Sequence, residues 1–325
     1  MASRIEAGSG KGGLGAHAAV LKTHLVPGWA FWLALVLLFA VNMAWVSVSP
    51  RLHLSERSLG LMVMTLAATA SAVVYRGLRV RPADRGLAGL VDGLLLALFA
   101  ALLTQQLNLF NHLSMSLALP LADARLHAWD EALGFDWNGY ANWIAAHPAA
   151  RAVMLVAYSH AVGPAIAIIT AMALWRGRRE RVEELAFLAL GSCMICIGVA
   201  AFFPAEAAWN TISTPETRAL LGGQPAIDWV EEFRALRAGG PVLLDFSSMQ
   251  GLATFPSFHT CLALIIAWCS RGHWLGQWAG GLTGLAILAA TPVYGAHYGV
   301  DVLAGTAVIA GLILLWRRTG AGLRS

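Results

Sequence analysis

Residues 255–301 decide the fold. They open with Phe255-Pro256-Ser257-Phe258-His259-Thr260 and close with Gly295-Ala296-His297-Tyr298-Gly299-Val300-Asp301. Between them, residues 260–270 and 274–291 are nearly all apolar, interrupted by Ser270-Arg271-Gly272-His273. Two apolar runs around a polar hinge read as a helical hairpin that enters a membrane and returns. The chain then leaves the membrane beside His259 and comes back on the same side just before His297. Two histidines and an aspartate are thereby expected at one membrane surface.

Working outward, the whole chain has the composition such a hairpin needs. Of 325 residues, 58% are hydrophobic and 12% charged, with a mean hydropathy of +0.64. The expected class is an all-α polytopic membrane protein. Apolar runs at 28–48, 59–75, 87–110, 152–174, 185–203, 255–271, 274–293 and 298–316 predict about eight spans across a core of ~30 Å. The net charge of +4 does not point to nucleic acid, because the basic residues sit in short clusters between apolar runs. With the N-terminus inside, 15 basic residues fall on the inner side (Arg76, Arg79, Arg81, Arg85, Arg176, Arg178, Arg179, Arg181 and Arg271 among them) and 7 outside. The positive-inside rule then places both termini in the cytoplasm of a plasma (inner) membrane, and His259 and His297 on the extracytoplasmic side. The Gly- and Ala-rich segment 1–27 reads as a disordered cytoplasmic tail. The run at 28–48 lacks a convincing cleavage site and reads as a retained span.

Two outer segments remain. In 111–151, Trp129, Trp137, Tyr140 and Trp143 suggest amphipathic helices in the headgroup layer, with His112 and His127 interfacial and Asp123 and Asp130 orienting the segment. Residues 204–254 carry a helix at 227–237 that ends before Gly239-Gly240-Pro241. Cys193, Cys196, Cys261 and Cys269 read as small core residues rather than a disulfide or metal set. Tyr158 and His160 either line a cleft or face lipid. Gln105, Gln106, Asn108 and Asn111 either satisfy one another across helices or face the site.

His297 and Asp301 are four residues apart and share a helix face. A carboxylate on one imidazole nitrogen fixes the tautomer and frees the other nitrogen as a nucleophile. Alone, the same pair also describes a polar helix start whose members lower each other's burial cost. Pro256 at a helix start is expected to leave backbone N–H groups open to an anion, with the Ser257 hydroxyl beside them and His259 placed to exchange a proton. Arg237, at a helix end before a glycine break, is either a C-terminal cap or a fork for phosphate oxygens. Arg234 and Arg218 are the runners-up. Together the two strings suit transfer of a phosphoryl group.

Gly251-Leu252-Ala253-Thr254-Phe255-Pro256-Ser257-Phe258-His259-Thr260 and Thr291-Pro292-Val293-Tyr294-Gly295-Ala296-His297-Tyr298-Gly299-Val300-Asp301 resemble motifs of the type 2 phosphatidic acid phosphatase superfamily. The likeness leans towards its inositol phosphorylceramide synthase branch, to which Arg237-Ala238-Gly239 is also similar. The resemblance implies a six-helix catalytic core at 85–325, with 28–84 as two accessory spans. It implies a mechanism without metal or cofactor, in which His297 attacks phosphorus, Asp301 orients it and His259 is the general acid and base. Two departures stand out: the superfamily's first basic motif is missing, and Thr291 replaces the arginine six residues before the nucleophile. Phosphate contacts are then expected from Arg237, Ser257 and Thr291, which suits a phosphodiester better than a doubly charged monoester. The expected substrate is a lipid phosphate or phospholipid in the bilayer, with water or a hydroxyl acceptor as the second reactant. The alternatives are a non-catalytic lipid-binding or transport protein, or a zinc hydrolase on His259, His297 and Asp301.

Overall fold

The computed structural model describes residues 26–81, 84–222 and 229–322. Of the expected tail 1–27, all but Val26 and Pro27 lies outside these residues, as do the first two positions of the expected helix at 227–237. From the N-terminus the elements are α1 (Trp29–Val48), β1 (Leu52–Leu54), α2 (Glu56–Arg79), α3 (Arg85–Met115), α4 (Asp123–Ala132) and α5 (Trp137–Ala146). Then come α6 (Pro148–Val156), which passes through a π-helical turn (Ala157–Ala161) into α7 (Val162–Trp175), and α8 (Arg179–Phe202). Three short helices follow, α9 (Ala208–Thr211), α10 (Pro215–Leu221) and α11 (Trp229–Arg237), with β2 (Val242–Leu244) after them. The chain closes with α12 (Phe258–Cys269), α13 (Trp274–Tyr294) and α14 (Gly299–Gly322).

The protein is an all-α polytopic membrane protein. Each of the eight apolar runs is helical, and among the described residues six helical segments are long and apolar enough to cross a membrane. The hairpin differs from expectation at its first arm. Helix α12 has 12 residues, about 18 Å at ~1.5 Å per residue, rather than the full run 255–271. Ser257 is its N-cap, its hydroxyl accepting from the Thr260 amide at 3.3 Å, so Pro256 stands before the helix instead of inside its first turn. A short helix is tolerable here because protein surrounds it. It packs on α7, α8, α13 and α14, and Cys261, Ala263, Ile265 and Ile266 are buried. A Cβ at Gly305 on α14 would come 2.5 Å from the Ser257 carbonyl oxygen, so the glycine permits that close approach.

Chain direction alternates along the bundle, and the linkers sort into two ends. At one end α4, α5 and α9–α11 build a cap over the helix tops. Its core runs from Leu109, Leu113 and Leu126 through Trp137, Trp209 and Phe233 to Tyr298. Backbone bonds from Ala122 to Pro204 and from Ala208 to Ala296, both 2.8 Å, tie the cap segments together. Strands β1 and β2 pair in parallel there, Leu52 opposite Val242 and Leu54 opposite Leu244. The Asp245 carboxylate, held well down at about 2 by the Ser247 hydroxyl and amide and by Ser55, secures the turn that follows β2. The α1–α2 hairpin is thus fastened to the segment leading into Ser257. Lower down, Asn42 on α1 donates to the Gln106 carbonyl at 2.8 Å, and Gln105 donates to Thr65 on α2 at 3.2 Å.

The other end is basic. Asp92 binds Arg76 at 2.8 Å and Arg179 at 2.5 Å. Glu184 binds Arg271 at 2.5 Å and Arg181 at 3.3 Å, and it accepts from the Trp268 indole at 2.8 Å.

Two expectations for the outer segment are corrected. His112 is fully buried near the end of α3 rather than interfacial, its Nδ1 donating to the Asn108 carbonyl at 2.8 Å and its Nε2 lying 3.1 Å from Glu232. Trp137 is buried as well, because α4 and α5 lie over the bundle as part of its cap. Trp129 and Trp143 do remain exposed.

Candidate active site

At the capped end a cavity of about 500 Å³ opens among α3, α7, α8, α12 and the α13–α14 turn. Both His259 and His297 line it, beside Tyr158, Thr254 and Gly295. Asn108, Asn111 and Gln250 add amide groups to its wall. Towards the bundle interior the lining turns apolar, with Ala100, Leu103, Leu107, Ile166, Cys193 and Ile197.

His297 is placed by its backbone. Ala296 sits at φ +58°, a left-handed conformation uncommon for a residue with a Cβ. It persists because Ala296 is fully buried and its carbonyl accepts from Ala208. A Cβ at Gly295 would lie 2.5 Å from the Tyr158 hydroxyl and 2.6 Å from the His297 ring, so only glycine leaves room for both. The His297 Nδ1 lies 2.9 Å from the Asp301 Oδ2, which also accepts from the Tyr298 amide at 3.1 Å. The remaining Nε2 meets the Ser257 hydroxyl at 3.2 Å. Burial pushes the His297 imidazole down to about 4, so at neutral pH it is an uncharged base. An imidazole fixed through Nδ1, with Nε2 held only by the Ser257 hydroxyl and facing a cavity, is equipped for nucleophilic attack once that hydroxyl moves aside.

His259 stands in the first turn of α12. Its ring stacks on Tyr158, centroids 4.3 Å apart, and its Nδ1 lies 3.1 Å from the Tyr158 hydroxyl. Tyr158 belongs to the π-helical turn, whose extra residue re-aims the side chains around it, and such turns recur at functional sites. The same turn leaves His160 exposed on the outside of the bundle, away from the cavity lining.

The other expected phosphate ligands are engaged elsewhere. Thr291 is fully buried and donates to the Ile287 carbonyl at 2.7 Å. Arg237 donates to the Leu119 carbonyl at 2.6 Å, lies over the Phe233 ring and does not line the cavity; burial lowers its pKa. Arg234 forks onto Glu206 at 2.8 and 2.5 Å, and Arg218 binds Ser213 and the Trp209 carbonyl. Among the described residues lining the cavity there is no lysine or arginine. Nor is there, among the described residues, a cluster of three His, Cys, Asp or Glu side chains at metal-binding distance.

Sequence reasoning missed the residues that hold the second string in place. Asp130 caps α14, accepting from the Gly299 amide at 2.8 Å and the Val300 amide at 2.7 Å. Asp123 accepts from the Tyr298 hydroxyl and the Glu206 amide, both at 3.0 Å. Burial raises both carboxyls above the usual range, against the lowering effect of these donors. The Trp137 indole donates to the Pro292 and His297 carbonyls, each at 3.1 Å. Acidic and aromatic residues in 123–143 were visible as a group, yet only the fold shows that their partners lie about 160 positions away.

Residues 124–315 match the PAP2 superfamily. The chain belongs to that superfamily. Its match begins within the cap and takes in α4 to most of α14, leaving α1–α3 outside. No curated protein and no solved structure matches the chain. Membership in the PAP2 superfamily makes this a phosphatase-type enzyme acting on phosphoesters, and both histidine strings lie within the matched region.

Proposed function

We propose that the protein cleaves or transfers a lipid phosphoester through a phosphohistidine on His297. One observation carries this reading: His259 and His297 line the same cavity, and the Asp301 carboxylate sits behind the ring that would be attacked into. Phosphorus enters between the two rings, displacing the Ser257 hydroxyl from Nε2. The His297 Nε2 forms a bond to phosphorus while the bond to the leaving oxygen breaks, and His259 gives its proton to that oxygen. Asp301 stabilises the charge that develops on the imidazole. In the second half, His259 takes a proton from water or a hydroxyl acceptor, whose oxygen attacks phosphorus and releases His297.

The lining supports a lipid substrate. Its apolar depth between α3, α7 and α8 suits an acyl chain, while Asn108, Asn111 and Gln250 near the histidines suit a hydroxylated headgroup. The lack of a cation among the described lining residues favours a singly charged phosphodiester over a monoester, in keeping with the inositol phosphorylceramide synthase branch. The distribution of basic residues supports a site facing away from the cytoplasm of a plasma (inner) membrane. On this reading the cavity performs headgroup transfer. Incubating the purified protein with defined lipid phosphoesters, with and without a polyol acceptor, tests it. A new phospho-headgroup lipid is the expected product; release of inorganic phosphate alone makes the enzyme a phosphatase, and no turnover of any phosphoester leaves only a lipid-binding role.

A further inference from the structure

A second cavity lies at the basic end, about 220 Å³ in size, between α7, α12 and α13. Its rim carries Arg176, Arg178, Arg181, Arg271 and His273. Arg181 and Arg271 are shared with Glu184. Arg176 and Arg178 are exposed, and the Arg178 guanidinium reaches over the α12–α13 turn near Gly272. Among the described residues lining this cavity there is no carboxylate. Below the rim the walls become apolar and narrow, formed by Ile168, Ile169 and Met172 of α7 facing Gly276, Ala279 and Gly280 of α13. Trp175 on α7 and Trp274 and Trp278 on α13 are 92%, 67% and 68% exposed, outside the lining of the groove. Exposed tryptophans at this density mark the level of lipid headgroups.

We infer that this groove binds one anionic phospholipid from the leaflet at the basic end, a site separate from the histidine cavity. The phosphodiester sits on Arg176 and Arg178, and one acyl chain lies along the α7–α13 groove. Charge selects the occupant: four guanidiniums line the rim, two of them shared with Glu184, and basic pockets between membrane helices favour acidic headgroups. The apolar floor selects a lipid over a free anion, which would use the rim alone, and the exposed tryptophans nearby set this end at the headgroup level. A lipid seated there bridges α7 and α13, two of the helices whose far ends present Tyr158 and His297.

The test uses the full-length protein carrying His297→Ala, so that turnover at the other end consumes no ligand. Retention of phosphatidylglycerol against phosphatidylcholine is read by native mass spectrometry. The R176Q/R178Q pair is expected to weaken retention by roughly tenfold or more. R79Q/R318Q removes the same charge from the same end outside the groove and is expected to change retention by less than about twofold. A279F fills the apolar floor and is expected to weaken retention while leaving the rim intact. Inorganic phosphate at millimolar concentration is expected not to displace the lipid. Equal losses in the two arginine pairs would overturn the site in favour of diffuse surface charge. Displacement by inorganic phosphate, with A279F behaving as wild type, would overturn the lipid as its occupant.

Discussion

Asp92 and Asp301 are both aspartates inside apolar helices, and they show what separates the two ends of this molecule. Asp92 lies between the guanidiniums of Arg76 and Arg179. Asp301 lies between an imidazole and a backbone amide. A carboxylate clamped by two permanent cations is neutralised and has nothing left to do. One paired with an imidazole keeps its partner's other nitrogen available for chemistry. Burying an acid in a membrane is costly in both places. At the basic end that cost is offset by ion pairing that fastens α2, α3 and α8 together. At the capped end, on the proposed mechanism, it is tolerated for the sake of a reactive histidine, and fixing the backbone falls to Asp130, Asp123 and Trp137.

Substitutions that separate holding from reacting break or sharpen this contrast. His297→Ala is expected to abolish turnover while the protein stays folded and inserted, measured as phosphoester cleavage beside a thermal melt. His259→Ala should follow, with a loss of about 10²–10⁴-fold in kcat. The two aspartates should then diverge. Asp301→Asn is expected to lower kcat by about 10²-fold with little change in melting. Asp92→Asn takes the carboxylate away from the buried Arg76 guanidinium and is expected to cost about 3 kcal/mol of stability, while the folded fraction keeps its kcat. If Asp92→Asn instead lost kcat at unchanged stability, the division between the ends would fail.

A pH profile sharpens the same point. Because burial lowers the His297 imidazole to about 4, its free-base form persists as pH falls through the ordinary histidine range near ~6.5. The acid limb of kcat/KM should therefore fall nearer pH 4 than pH 6.5; a limb at the ordinary value would mean that protonation of His297 is not what limits attack. The smallest effect is expected from Arg237→Gln. Its Nη2 donates to the Leu119 carbonyl and it does not line the cavity, so KM should move by less than about threefold, the scale of a residue making no direct contact with bound phosphate.

The legible part of the sequence was the part written in short range. Each of the eight apolar runs is helical, and the spacing of His297 and Asp301 pointed to their contact, but not by a shared helix face: His297 stands two residues before α14, and the left-handed Ala296 turns it back onto Asp301. The length of α12 was not legible: an apolar run does not say where a serine will cap it, and Ser257 does so two residues past the expected start. Arg237 was misplaced for a related reason. A cation at a helix end looks the same whether it will donate to a phosphate or to the carbonyl of a distant loop. Tyr158 and His160, two residues apart, were indistinguishable until the π-helical turn sent one into the cavity and the other outward. Gln105 and Gln106 proved to hold α1 and α2, whereas Asn108 and Asn111 face the site, a split decided by which neighbours α3 meets at each level.

The most direct measurement is to trap the intermediate. The purified enzyme is mixed with a substrate carrying radiolabelled phosphorus, quenched in base during turnover, and the label located. Label on His297, lost in acid and absent from His297→Ala, is the result these two cavity-lining rings predict. Turnover with no labelled protein at any time, or label that persists in His297→Ala, would contradict it.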